Sequence, residues 1–324
     1  MTIENLKSKS IVITGAAGFI GSNVLRALNE AGLENIIIVD KGEITEGKKN
    51  NLADLKYAQY LDSADFLAKI EHDEIKDIGA IVHIGASVDT TDKDSVGLMK
   101  NNTENSRVLF NYCVRNNCRL IYASSAATYG GGEKGYNDSE RNLKPMNPYA
   151  ESKYLFDEFV LDAAVKPGQW VGLKFFNVYG PGEAHKGQMA SMVYHLYNKI
   201  RATGEAELFK SYRAGYVHGE QKRDFVYVKD IAKVILFFLN HPDKSGIFNL
   251  GTGQARTFND LARAVFAALG KPPAIKYAEM PPGLEGQYQY FTQADISKLR
   301  SAGYGEKFYT LEEGVSDYVN WLRK

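Results

Sequence analysis

Cysteine is nearly absent from this sequence: 324 residues hold only Cys113 and Cys118. Two thiols so placed match neither a metal-ligand spacing nor a disulfide framework, and they fit a reducing cytosol. They read as two thiols on or near one helix. Net charge is missing too. Lysine plus arginine equals aspartate plus glutamate, 39 against 39, so no global field draws the chain to nucleic acid or to an anionic membrane. Residues 1–10 carry no apolar signal core. The most apolar run, Val234 to Leu239, falls far short of the ~20 residues a bilayer needs. There is no internal repeat and no low-complexity tract. The chain therefore reads as a soluble cytoplasmic protein with no nucleic-acid partner, no membrane partner and no metal. Its length suits two lobes.

What the sequence does hold is organised around Tyr149-Ala150-Glu151-Ser152-Lys153, with a phenol and an ammonium one helical turn apart at the start of a predicted helix. At that spacing the two side chains share a face. A nearby ammonium favours the phenolate and draws the tyrosine pKa down, which suits a group that takes a hydroxyl proton. Tyr-x-x-x-Lys arises easily by chance, so its meaning depends on what precedes it.

Ile11-Val12-Ile13-Thr14 is a β-branched run ending in Gly15-Ala16-Ala17-Gly18-Phe19-Ile20-Gly21, after which Ser22 to Glu30 keeps a helical apolar rhythm. Strand, glycine turn and helix in that order offer free N–H groups and a positive helix end to a pyrophosphate. The next strand, Ile36 to Val39, ends in Asp40 at about the ~20-residue distance of a dinucleotide fingerprint. A carboxylate there suits the ribose 2′-hydroxyl of NAD and repels a 2′-phosphate. Lys41, with Lys48 and Lys49 on the following loop, would neutralise such a phosphate or simply form a solvated basic loop. The residue types leave NAD and NADP even.

Ala80 to Ile84 reads as a buried strand closed by Gly85-Ala86, with Asp54 and Asp62 in the connection before it. A helix from about Gly97 to Asn116 and strands at Leu120 to Ala123 and Trp170 to Phe175 continue the alternation. The expected fold is α/β, a Rossmann-type doubly wound parallel sheet with ligands at the carboxyl ends of its strands. Ser124-Ser125 stand at such an end, as hydroxyls for chemistry or as caps of a turn. Beyond Asn177 the pattern loosens. Met189 to Ile200, Phe225 to Tyr227, Ile231 to Asn240 and Ile247 to Leu250 predict a smaller mixed α/β lobe interleaved with late sheet elements. Residues 1–177 are thus expected to form the dinucleotide-binding domain, joined by later segments at about 225–255, and residues 178–324 mainly a substrate lobe. Phe258 to Leu269 and Leu311 to Leu322 have helical spacing and are assigned no chemistry. Arg223 either clamps a diphosphate or pairs with Asp224. In Gln287-Tyr288-Gln289-Tyr290 the aromatics either bind adenine or ribose, or cover a strand.

Five further stretches complete the pattern: Tyr122-Ala123-Ser124-Ser125-Ala126-Ala127-Thr128-Tyr129-Gly130-Gly131, Phe175-Phe176-Asn177-Val178-Tyr179-Gly180-Pro181, His185-Lys186-Gly187, Lys222-Arg223-Asp224-Phe225-Val226-Tyr227-Val228 and Phe291-Thr292-Gln293-Ala294-Asp295. With them the chain resembles the extended short-chain dehydrogenase/reductase superfamily. Within it, the chain is most similar to the nucleotide-sugar epimerases that act at C6 of an ADP-heptose for lipopolysaccharide core synthesis.

The resemblance implies that Ser125 and Tyr149 bond the reacting hydroxyl, that Lys153 holds the nicotinamide ribose, and that Lys186 is a second acid/base group. It places Gly15, Gly18, Phe19, Ile20, Gly21, Asp40, Lys41, Lys48, Gly85, Ala86, Asn101 and Val178 on the cofactor, and implies NADP over NAD. It places Asn177, Gln188, His195, Phe209, Arg223 and Tyr288 on an ADP-sugar, and implies a homo-oligomer, pentamers among the forms. The sequence departs from the family at Gly182, at Gln188 and in the long stretch 210–221, which puts the sugar or nucleotide specificity in question. Rival readings are another nucleotide-sugar 4-epimerase or dehydratase, or a non-catalytic NAD(P)-binding regulator. Ser125-Ala126-Ala127 lacks the carboxylate pair a dehydratase places there.

Overall fold

Six apolar runs become parallel strands: β1 (Ser10–Thr14), β2 (Ile36–Asp40), β3 (Gln59–Asp62), β4 (Ile78–His83), β5 (Arg119–Ser125) and β6 (Trp170–Phe175). These come from a computed structural model that describes residues 6–42, 44–87, 94–281 and 288–324. Three short strands follow, β7 (Asn177–Tyr179), β8 (Ala206–Phe209) and β9 (Lys222–Tyr227), before β10 (Gly246–Leu250) returns to the first sheet. That sheet has seven strands in the order β10-β6-β5-β4-β1-β2-β3. Helices cover both faces, so β2 and β4 are buried throughout and read as continuous apolar runs. Val12, Ile13, Ile38, Ile81, Val82 and Ile121 form its centre, each contributing about 1.5–3 kcal/mol by leaving water.

The chain runs outward through β1, β2 and β3, then returns to β4 on the other side of β1. That reversal opens a crevice at the carboxyl ends of β1 and β4, where doubly wound sheets bind ligands.

The second lobe is smaller. Strands β11 (Ala255–Thr257), β9 and β7 form one sheet, and β12 (Ile275–Ala278) pairs with β8 in another. Helices Met192–Thr203, Phe258–Leu269 and Leu311–Leu322 bury Leu196, Val265, Phe266, Val315 and Tyr318 against Phe225 and Tyr227. The last two helices begin with capping boxes, Thr257 with Asp260 and Thr310 with Glu313.

Several expectations are revised. The helix foreseen from about Gly97 starts at Ser95 and contains a π-helical turn, Lys100–Glu104, before continuing as Asn105–Asn116. Lys48 and Lys49 lie on a short helix, Glu46–Leu52, instead of a loop. Asp62 ends a strand and caps the helix Ser63–Glu71 through the Ala64 N–H. The helix expected from Met189 begins at Met192, because Ser191 caps it. Tyr288 and Tyr290 belong to no strand, and Gln287 lies outside the described residues. Cys113 and Cys118 are buried free thiols, at the end of one helix and just beyond it.

Candidate active site

The glycine turn is built for close approach. Gly15 has φ +68, and a Cβ there would lie 2.7 Å from the Gly85 Cα at the end of β4. A Cβ on Gly21 would collide with the Gly15 carbonyl. Gly18 precedes the helix Phe19–Glu30, whose start has no side-chain cap. Its first N–H groups and the positive end of its dipole thus face the crevice, a cradle that fits a dinucleotide pyrophosphate.

Asp40, the last residue of β2, is buried and heavily engaged. It accepts from the N–H of Ala17 (3.0 Å) and of Lys41 (2.9 Å), and its Oδ1 lies 2.7 Å from Lys48 Nζ. Across the crevice the Gly85 N–H donates to Thr14 Oγ1 (3.0 Å), which lies 2.6 Å from His83 Nδ1, while His83 Nε2 is 2.9 Å from Ser106 Oγ. Burial, with a smaller push from Lys153, takes His83 down to about 3, so its ring is neutral. This hydroxyl–imidazole–hydroxyl chain escaped the sequence reading, because its members lie far apart in the chain.

Tyr149 and Lys153 stand on the helix Pro148–Asp162, which begins with a proline and is capped by Asn147 Oδ1 accepting the Ala150 N–H (2.8 Å). Lys153 Nζ donates to the Ala123 carbonyl (2.9 Å). Burial lowers its pKa to about 8 against the opposing charge of Asp157. The phenol of Tyr149 does not follow expectation. Burial raises its pKa, and the opposing influence is a hydrogen bond with Ser125. The physical reason is that desolvation of the phenolate outweighs its one partner, while the ammonium is directed at Ala123. Ser125 Oγ also accepts the Ala127 N–H (3.1 Å) and caps a short turn, one of the two readings its position allowed.

Lys186 reaches the same cleft from another element, the 3-10 segment Ala184–Met189, kinked at Gly187 with φ +54. Its Nζ lies 5.5 Å from the Phe19 ring centroid. Burial lowers its pKa, opposed by Glu183. Glu183, also unforeseen, is fully buried and accepts from the Gly180 N–H (3.2 Å) and Ser191 Oγ (2.7 Å), fastening both sides of that segment. Gly182 has φ +93, which disfavours a larger residue, and its carbonyl accepts from Asn51 (2.9 Å).

Ser125, Tyr149, Lys153 and Lys186 line one cleft of about 400 Å³, together with Phe19, Ile20, Ala86, Asn177 and Val178. His195, Gln188 and Asn101 do not line it. His195 Nε2 approaches the Gln188 carbonyl (3.2 Å) and steadies the segment from outside, and Gln188 is exposed. Asn101 sits on the π-helical turn beside Asn102, whose amide donates to the Ser87 carbonyl (2.9 Å) and to Ser152 Oγ (3.0 Å).

Phe209, Arg223 and Tyr288 form a second cluster. The Tyr288 ring lies 6.5 Å from that of Phe209, and the Arg223 guanidinium lies 5.2 Å from Tyr288 and 5.7 Å from Phe258, which also lines the cleft. Asp224 does not pair with Arg223. Its carboxylate accepts from Thr252 N–H (2.7 Å), Thr252 Oγ1 (2.7 Å), Gly253 N–H (2.9 Å) and Ala294 N–H (3.0 Å). Arg223 is 7% exposed and donates to the Lys222 carbonyl (2.9 Å), and among the described residues no carboxylate pairs with it. A buried cation in that state is ready for an anionic ligand.

Transfer of a proton and of a hydride at one alcohol carbon is what this arrangement can serve, so the class it defines is that of nicotinamide-dependent enzymes acting on alcohols. A family model described as the NAD dependent epimerase/dehydratase family matches residues 11–251. The ADP-L-glycero-D-manno-heptose-6-epimerase of Fusobacterium nucleatum subsp. nucleatum is 47% identical over 97% of this chain and 98% of its own length. The crystal structure of Helicobacter pylori ADP-L-glycero-D-manno-heptose-6-epimerase matches with TM-score 0.84 and 31% identity, covering 98% of this chain and 97% of that one. The UDP-glucose 4-epimerase of Thermus thermophilus, solved in complex with NAD, matches with TM-score 0.77 and 27% identity over 97% and 99% of the two chains. The chain belongs to the NAD dependent epimerase/dehydratase family, as its motifs indicated, and its cofactor is a nicotinamide dinucleotide. No helix among the described residues is long and apolar enough to cross a membrane.

Proposed function

We propose that this protein converts ADP-D-glycero-D-manno-heptose to ADP-L-glycero-D-manno-heptose by inverting C6, a step in the supply of lipopolysaccharide core precursors. The observation that carries the reading is the entry of Tyr149 and Lys186 into one cleft from separate elements. No carbonyl neighbours the C6–H bond, so inversion cannot begin by proton removal from carbon. The alcohol is oxidised first, and because C6 bears the C7 hydroxymethyl the transient product is a ketone. The bound nicotinamide supplies a reversible hydride acceptor at that carbon, so no cofactor is consumed overall.

The chain's own residues handle the proton and the charge. Ser125 orients the hydroxyl and steadies negative charge on its oxygen. Tyr149 exchanges the hydroxyl proton at one face. After the ketone turns over, its oxygen lies on the other side, where Lys186 serves as the second acid/base group. The high proton affinity that burial gives Tyr149 suits its acid role, and the lowered affinity of Lys186 eases its proton exchange. Lys153 would hold the nicotinamide ribose, and Arg223 with Tyr288 and Phe209 would receive the diphosphate arm, a reading supported by a buried guanidinium that pairs with no carboxylate among the described residues.

NADP is the form we assign. The Asp40 carboxylate is occupied by two backbone N–H groups and neutralised by Lys48, which leaves it a poor acceptor for a 2′-hydroxyl and reduces its repulsion of a 2′-phosphate. Residues 1–177 with β10 then carry the cofactor, and residues 178–324 mainly the sugar nucleotide. The enzyme works in the cytoplasm, which the two free thiols support, as a homo-oligomer, pentameric by family resemblance. NMR of the sugar after incubation with the purified protein tests the assignment. A new C6 epimer is expected, with UDP-glucose left unchanged; C4 inversion of UDP-glucose and an inert heptose would transfer the protein to another branch of the family.

A further inference from the structure

Behind the cleft lies a buried ion pair that the proposed proton transfers do not use. Asp157 Oδ2 and Lys174 Nζ are 3.2 Å apart, with side chains 2% and 3% exposed. Asp157 stands one helical turn beyond Lys153 and two beyond Tyr149, on the same face. Lys174 lies on β6 directly opposite Ser124 of β5.

The contacts of the pair converge on Ser125 from both sides. Asp157 Oδ2 accepts from Ser124 Oγ (2.7 Å), and Oδ1 accepts from the Tyr122 hydroxyl (3.1 Å). Lys174 Nζ donates to Thr128 Oγ1 (2.7 Å) and sits 4.7 Å from the Tyr129 ring centroid. Thr128 Oγ1 in turn donates to the Ser125 carbonyl (2.8 Å). The residue before Ser125 is thus tied to Asp157, and the carbonyl of Ser125 is tied through Thr128 to Lys174.

We propose that Asp157 and Lys174 are positioning residues, a clamp that fixes the Ser125 hydroxyl against the Tyr149 phenol. Stability alone explains the pair poorly, because buried ion pairs can often be replaced by apolar residues of similar volume without loss. Direction explains it better. The carboxylate and the ammonium are each engaged on several sides, and together they join the helix that carries Tyr149 to the two strands behind it. A small misplacement at a reacting centre is costly in rate.

The inference rests on the reading of Ser125 and Tyr149 as the proton-transfer pair, and its test separates the two. The experiment compares wild type, Thr128→Val and the double variant Asp157→Leu with Lys174→Met, all carrying bound NADP. Turnover of the ADP-heptose is measured beside amide hydrogen exchange over Ser124 to Gly130. The double variant leaves the Ser124 and Tyr122 hydroxyls without their buried acceptor and is expected to melt lower, to keep the wild-type KM, to lose roughly 10- to 100-fold in kcat, and to exchange the Ala127 and Thr128 amides faster. Thr128→Val, which leaves both charges in place, is expected to show the same pattern more weakly. A kcat and an exchange pattern equal to wild type in either variant, whatever its melting temperature, would overturn the clamp. If wild type itself leaves the heptose unchanged, the functional reading fails, while the exchange data still decide whether the pair orders the Ser125 turn.

Discussion

The two ends of the cleft are built in different ways. At the end we assign to proton transfer, Ser125 ends a central strand and Tyr149 and Lys153 share a capped helix, so regular backbone sets every position. At the other end, Lys186 rides on a kinked 3-10 segment fastened by Glu183, and Arg223 is wedged between aromatic rings. The first end rests on a sheet shared with enzymes that handle other sugars, such as the 4-epimerase matched above. The second is assembled from side chains brought together over long separations. The contrast suggests a division of labour: the sheet end holds the first proposed proton-transfer group, and the loop end brings in the second together with the contacts that select the sugar nucleotide.

That division is open to attack by mutation. The largest effect is expected for Tyr149→Phe, which removes the proposed acid/base hydroxyl and keeps the ring. Its kcat should fall by about 10³-fold with the cofactor still bound, measured by turnover and by the dinucleotide released on denaturation. Lys186→Met should cost about 10²-fold in kcat without altering the structure around Tyr149. Equal KM values for the two variants would sharpen the division, whereas a KM effect alone for Lys186→Met would make it a binding lysine. Arg223→Leu should act on KM, raising it roughly 10- to 100-fold with kcat little changed. Its melting temperature should hold or rise, because the variant removes a buried cation that no carboxylate partners among the described residues. A fall in kcat with KM intact would break the comparison.

The smallest effect is one of pH. Lys153 carries its charge below about 8 and loses it above. Any binding that favours the ammonium should therefore weaken as pH rises through that value. Dinucleotide affinity of the cofactor-free protein, followed by fluorescence, should decline on the alkaline side of about pH 8, and a flat profile to pH 10 would remove Lys153 from the ribose.

Much of the proton-transfer end was legible in the sequence, for a local reason. Short-range spacing fixes which side chains share a helix face, and alternating strand and helix patterns fix a parallel sheet with its reactive edge. The same locality misled in two places. Spacing alone says that Lys153 is near Tyr149, yet it carries no information on burial, which reverses the expected direction for the phenol. Adjacency suggested a pair between Arg223 and Asp224, but successive residues of a strand point to opposite faces. β9 sends the guanidinium to Tyr288 and the carboxylate to the Thr252 turn. Glu183, His83 and the Asp157–Lys174 pair were invisible because their meaning lies in contacts across strands and loops. Asp40 was found at the right place, while its neutralisation depends on a short helix, Glu46–Leu52, that carries too little apolar periodicity to announce itself.

The central claim is that the hydride taken from C6 returns to the same carbon without exchange with water. Incubating the enzyme with ADP-D-glycero-D-manno-heptose in deuterated water and reading C6 by NMR tests it directly. The account predicts the inverted centre with its original hydrogen retained. Deuterium at C6 of the product, or no inversion at all, would contradict it.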